Sequence, residues 1–104
     1  MNLIIKDISK EKAEEIVNNL DKLIDDGAIL DWRIDEGEAQ DYHNADNLLG
    51  ERVAIKPYYR NNALCFAFVG HEESTVKHAN IIKFLELLLE YFPANVKSVK
   101  IINL

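Results

Sequence analysis

Ile29-Leu30-Asp31-Trp32-Arg33-Ile34-Asp35-Glu36 alternates apolar and charged side chains without a break from Leu30 to Asp35. A period of two predicts a strand, because successive side chains of an extended chain point to opposite sides. Leu30, Trp32 and Ile34 then face a core, and Asp31, Arg33 and Asp35 face water. A strand buried on one side only belongs to an antiparallel or mixed sheet with an open face, not to a parallel sheet covered on both faces.

The flanking sequence extends this pattern. Upstream, Leu3 to Lys6 is a short apolar run of strand length. Ser9 is placed as a helix N-cap, and Ala13, Ile16, Val17, Leu20, Leu23 and Ile24 follow at three- and four-residue spacing. That spacing predicts an amphipathic helix, with Gly27 as the left-handed residue that ends it. Downstream, Gly37 to Gly50 is polar and acidic and reads as a long loop, of a length that is often functional. Arg52 to Pro57 reads as a strand with Val53 and Ile55 inward, and Tyr58 to Asn62 as a turn. Ala63 to Val69 is apolar on both sides and reads as a central strand. Ser74 or Thr75 is placed to cap a second helix. Ala79, Ile82, Leu85, Leu88, Leu89 and Phe92 form its apolar face, widened by Ile81, Phe84 and Tyr91. Lys77, Asn80, Lys83, Glu86 and Glu90 form its polar stripe, and Pro93 stops it. Val96 to Ile102 is the last strand.

The predicted fold is therefore a single α/β (α+β) domain over residues 1–104. About five strands form an antiparallel or mixed sheet with two helices on one face. The order strand, helix, three strands, helix, strand is close to a ferredoxin-like βαββαβ arrangement with one strand added.

Composition agrees with one packed domain. The chain has 104 residues, of which 48% are hydrophobic, enough for one core. No apolar run reaches the roughly 18 residues of a membrane span, and Met1 to Asp7 lacks the basic head and long apolar segment of a signal peptide. The lone Cys65 cannot form an internal disulfide, so a cytoplasmic, reducing home is expected, with Cys65 as a buried strand residue.

The net charge of −6 is concentrated. Between Asp25 and Glu51 stand nine acids against the single base Arg33, so that segment carries −8 and the rest of the chain +2. A concentrated field repels nucleic acid and attracts basic proteins.

Residues with chemical potential do not assemble into a motif. Asp41, His43 and Asp46 are metal-ligand types, but their spacing matches no established ligand pattern. His71-Glu72-Glu73 fits helix-entry acids better than a metal site. Cys65 with His71 or His78 is the only conceivable nucleophile and base pair, and nothing in the spacing brings them together. The four glycines are isolated, so no phosphate loop is present. Lys56, Tyr58, Tyr59 and Arg60 form a small basic-aromatic cluster, read as a turn flanked by tyrosines. The expectation is a non-enzyme with no cofactor, no metal, no direct nucleic-acid contact and no membrane contact.

A short acidic chain with no catalytic constellation and an acidic run from Asp31 to Asp46 resembles, in type, the immunity proteins of bacterial contact-dependent growth-inhibition systems. The resemblance implies a basic partner, a nuclease toxin domain. A nuclease site is basic because it holds phosphate, and Asp35, Glu36, Glu38, Asp41 and Asp46 would imitate that phosphate charge. The partner-binding residues expected are Asp31, Asp35, Glu36, Glu38, Asp41, Tyr42, His43 and Asp46, with Tyr42 as an exposed aromatic anchor or else folded back on its own core. Two other classes fit the same sequence. One is a small regulatory or adaptor domain that dimerises through its open sheet or helix face. The other is a small-molecule-binding α/β domain.

Overall fold

The computed structural model describes residues 1–36, 40–46, 52–70 and 74–102. Eight elements follow in order: β1 (Asn2–Ile5), α1 (Lys10–Asp25), β2 (Trp32–Glu36), β3 (Gln40–Asn44), β4 (Ala54–Arg60), β5 (Ala63–Val69), α2 (Ser74–Tyr91) and β6 (Val99–Ile102). The fold is α+β, as the alternating pattern implies. Its strands form one open antiparallel sheet in the order β2-β3-β4-β5-β1-β6.

Six strands replace the five expected, because β3 lies inside the stretch that reads as a loop. Tyr42 and Asn44 point inward from β3 while Asp41 and His43 point outward. The alternation is real, but the inward Asn44 is polar, so hydropathy conceals it. Asn44 is buried, and its Oδ1 accepts from the Asp46 amide at 3.0 Å.

Pairing fixes the two faces of the sheet. Leu3 lies opposite Phe66, Ile5 opposite Leu64, Ile55 opposite Phe68, Tyr42 opposite Ile55, and Ile34 opposite Tyr42. These residues share one face, and α1 and α2 cover it. From α1 come the buried Ala13, Ile16 and Leu20; from α2 come Val76, Ile81, Phe84, Leu87 and Leu88. Phe84 sits at the centre. Its ring meets Phe66 at 4.8 Å, Trp32 at 5.2 Å and Phe68 at 6.0 Å edge-on, and Tyr42 at 5.9 Å tilted.

Local signals hold at several element ends. Ser9 Oγ accepts from the Lys12 amide at 3.1 Å, which caps α1. Gly27 takes φ +80° after the helix, a conformation that a Cβ disfavours. The β4-β5 turn is shorter than expected. Tyr58, Tyr59 and Arg60 belong to β4, and only Asn61 (φ 51°) and Asn62 (φ 56°) make the turn. Asparagine tolerates that region, so a two-residue primed turn suits the twist of the hairpin.

Four further expectations change. β4 starts at Ala54, not Arg52, although Val53 and Ile55 are buried as predicted. β6 starts at Val99, not Val96, and the Ser98 carbonyl before it accepts from the Lys6 amide at 2.9 Å. On α2, Asn80 belongs to the buried side, where Nδ2 donates to the Val76 carbonyl at 2.9 Å, while Ile82 and Leu89 are exposed. Leu30 is 69% exposed rather than inward. The chain is still turning there, since the amides of Ala28 and Ile29 both bond the Leu23 carbonyl at 3.0 and 3.1 Å. Ile29 is buried in its place, and β2 begins two residues after Leu30.

Trp32 points into the core and Asp35 into the open face, as the alternation requires. Trp32→Ala is expected to cost about 3–5 kcal/mol. Asp35→Ala removes only a surface ion pair and is expected to cost no more than about 1 kcal/mol. Urea unfolding of both variants measures this, and reversed costs would mean a register shifted by one residue.

Candidate functional site

The predicted site residues separate onto two surfaces. Asp31 and Asp46 line a groove of about 470 Å³, together with Leu30, Trp32, Asn44, Lys83, Glu86 and Glu90. The groove lies where the α1-β2 connection, the end of β3 and α2 meet. Each wall has a local cause. The Leu23 carbonyl bonds hold residues 28 and 29 in a turn, and Arg33 Nη1 donates to the Leu30 and Trp32 carbonyls at 2.6 and 3.0 Å. The Ala45 amide donates to the Asp31 carbonyl at 2.8 Å, which ties the end of β3 to the same turn. Asp31 and Asp46 therefore stand on backbone fixed by hydrogen bonds. Glu86 and Glu90 are one helical turn apart on α2 and exposed. Among the described residues none of these four carboxylates is held in an ion pair. With Lys83 the lining carries −3, and Leu30 stands exposed on its rim.

Asp35, Asp41 and His43 lie on the other surface, the open sheet face. Arg33 pairs with His43 and Asp35 with Asp41 across β2 and β3. Arg52 Nη2 bonds Asp35 and stands 3.6 Å from Asp41 Oδ1. These contacts hold the Arg52 guanidinium above its ordinary pKa, with the bond to Asp35 the main cause. Asp41 Oδ1 and His43 Nδ1 are both buried without a hydrogen-bond partner. Burial, then the Arg52 charge, lowers the His43 pKa below 6.5, against the smaller pull of Asp41 and Asp35.

That direction has a consequence for stability. An unfolded chain binds the His43 proton at higher pH than the folded chain does. The stabilising term is therefore complete above about pH 6.5 and is lost as pH falls through that value toward the lower folded pKa. Urea unfolding at pH 7.5 and pH 5.5 is expected to show this loss, and His43→Gln is expected to reduce it. An identical loss in His43→Gln would assign it to other groups.

Of the two expectations for Tyr42, an exposed anchor or a side chain folded back on its own core, the second is found. Tyr42 is 0% exposed, with its hydroxyl donating to Asp21 on α1 and its ring against Phe84. β3 turns it inward, and sequence reasoning that took β3 as loop had no parity to assign it. Glu36 ends β2. Glu38 lies outside the described residues, as do His71, Glu72 and Glu73. Conversely, Glu86, Glu90 and Leu30 join the groove without having been singled out. The two glutamates read as part of the polar stripe of a helix, and Leu30 as a core residue. Only the antiparallel placement of β3 beside β2, under α2, brings them to Asp31 and Asp46.

A second cleft, of about 310 Å³, lies between α1 and the turn end of β4, lined by Ala13, Val17, Pro57, Tyr59 and Leu64 with Glu14 at its side. Among the described residues no three His, Cys, Asp or Glu side chains group as a metal site, and no helix is long and apolar enough to cross a membrane.

Fold and site together define an α+β domain with an open antiparallel sheet and an acidic groove at one sheet edge. No family model, curated protein or solved structure matches the chain.

Proposed function

We propose that this chain is an immunity-type protein, which binds and neutralises a basic toxin domain, a nuclease, through its acidic groove. The observation that carries this is the groove itself. Asp31, Asp46, Glu86 and Glu90 present carboxylates that form no ion pair among the described residues, around a concave surface with the exposed Leu30 at its edge. Carboxylates outside such pairs are available to a cationic partner, and an exposed aliphatic residue beside them supplies the apolar contact that an interface core uses. The interface thus moves from the Asp35 to Asp46 segment, as first expected, to the groove. Asp35 and Asp41 are engaged by Arg52 instead. The architecture suits this role. With β2 and β3 set aside the chain runs β-α-β-β-α-β, which we read as a ferredoxin-like unit lengthened by one hairpin, and that hairpin supplies one wall of the groove.

The test is to purify the chain with the toxin domain encoded immediately upstream of its gene. A stoichiometric complex that abolishes nuclease activity is the expected result. A mixture that neither associates nor loses activity would refute the proposal. A second role has one observation in its favour. Ile82 and Leu89, two turns apart on α2, are both exposed, a stripe that suits an adaptor dimerising through its helix face. Native mass determination reads that directly, since a dimer dissociated by Ile82→Glu would establish it.

A further inference from the structure

The open face of β4, β5, β1 and β6 differs from the rest of this acidic molecule. None of these four strands contains an aspartate or glutamate. The uncovered side of β4 carries Lys56, Tyr58 and Arg60 at two-residue steps, all exposed. In the row that runs across the sheet, Tyr58 lies opposite Cys65, Cys65 opposite Ile4, and Ile4 opposite Lys100. In the next row Lys56 lies opposite Ala67, Ala67 opposite Asn2. The floor next to Tyr58 and Lys56 is thus made of the small residues Cys65 and Ala67, with Ile4 and Asn2 beyond them on β1.

Tyr58 lies across that floor. Its hydroxyl donates to Asn2 Oδ1 at 3.2 Å, yet Asn2 is on β1, with β5 between. Strands are spaced about 4.8 Å apart, so roughly 10 Å separates the two backbones, and the Tyr58 and Asn2 side chains span it jointly by leaning toward each other. The side chain therefore lies along the sheet rather than standing off it. The small residues Cys65 and Ala67 give it room. Cys65 is only 4% exposed although it is on the open face, and Tyr58 keeps 40% of its own surface in water. Burial raises the pKa of both groups, Tyr58 with a further push from the Cys65 thiol, so Tyr58 stays a neutral donor.

A flat ring tethered at both ends, with Lys56 and Arg60 beside it on β4, Lys100 farther along its row on β6 and no carboxylate on these four strands, has the two parts that single-stranded nucleic acid requires: a platform for a base and fixed charges for phosphates. We propose that this face binds single-stranded nucleic acid, with one base stacked on Tyr58 and phosphates held by Lys56, Arg60 and Lys100. This reverses the expectation from sequence that the chain makes no direct contact with nucleic acid. The sequence marks Lys56, Tyr58, Tyr59 and Arg60 as a basic-aromatic cluster but reads it as a turn; as part of β4 its outward residues share a face with Lys100. The patch is separate from the acidic groove and stands or falls independently of the partner proposed there.

Fluorescence anisotropy of a labelled twelve-nucleotide oligouridine tests it, with inorganic polyphosphate and polyglutamate as competitors. Saturable binding is expected, with a log–log salt slope of about −2 for three phosphate contacts. Tyr58→Leu keeps bulk over Cys65 but removes the stacking ring, and is expected to weaken binding by roughly 5- to 150-fold. Lys56→Gln with Lys100→Gln changes only exposed side chains and is expected to bring the slope to about −0.7. Neutral variants of the groove acids are expected to bind at least as well as the unmodified protein. No binding at low salt, an unchanged affinity in Tyr58→Leu, or equal displacement by polyphosphate or polyglutamate would overturn the proposal. The last result would make the face a reader of charge alone, suited to an acidic protein segment.

Discussion

Phe84→Ala is expected to destabilise the fold by about 3–5 kcal/mol, measured as the shift in urea unfolding. Phe84 is fully buried, and its ring touches Trp32 of β2, Tyr42 of β3 and both Phe66 and Phe68 of β5. Truncation removes the transfer free energy of the ring and leaves a cavity that four aromatic neighbours cannot easily fill. Edge-on aromatic pairs add about 0.5–1.5 kcal/mol each beyond area burial, so the loss belongs near the top of the range. Phe84→Leu keeps most of the volume and is expected to cost less. The effect also reaches the groove, since Leu87 and Tyr91 of the same helix and Trp32 of β2 line it. A cost below about 1 kcal/mol would mean that α2 does not close the core in this way.

Neutralising the groove is expected to produce the largest functional effect. The combined variant Asp31→Asn, Asp46→Asn, Glu86→Gln and Glu90→Gln removes four charges without removing the side chains. Steering by complementary charge raises association rates by about 10- to 1,000-fold, and screening at 0.15 M salt limits its reach to about 8 Å. Association with the toxin domain is expected to slow at least tenfold in the variant and to lose most of its salt dependence. If individual carboxylates are buried against a basic side chain in the complex, dissociation also speeds, at about 2–5 kcal/mol per pair. Leu30→Ala is expected to act on dissociation alone, because it removes packing and no charge. Folding stability of the fourfold variant should hardly change, since none of the four acids is paired among the described residues.

Much of the fold was legible because local signals and burial agreed. Ser9, Gly27, the stripe of α1 and the parity of Trp32, Ile34 and Ile55 each point to what is found. Two misreadings share one cause. Where a polar residue occupies an inward position, as Asn44 does on β3 and Asn80 does on α2, hydropathy loses the period, although a hydrogen bond satisfies the side chain. Leu30 fails for the converse reason, as an apolar residue placed outward by a turn that the alternation runs through. The site was legible as charge but not as shape. The sequence shows nine acids in one segment, and only sheet pairing shows that Asp35 and Asp41 face Arg52 while Asp31 and Asp46 join Glu86 and Glu90 across the groove. The open face of β4, β5, β1 and β6 was legible only in part: Lys56, Tyr58 and Arg60 stand together in the sequence, but read as a turn they carry no common face, and Lys100 joins them only through the sheet register.

A basic partner that docks in the acidic groove must perturb the backbone that lines it. Amide NMR shifts of the labelled protein, titrated with the catalytically inactive toxin domain, test this most directly. The predicted result is that perturbations gather at Ala28 to Trp32, Asn44 to Asp46 and Lys83 to Tyr91, with Tyr58, Cys65, Ala67 and Lys100 unmoved. Perturbations confined to β4, β5, β1 and β6, with the groove amides unchanged, would contradict it.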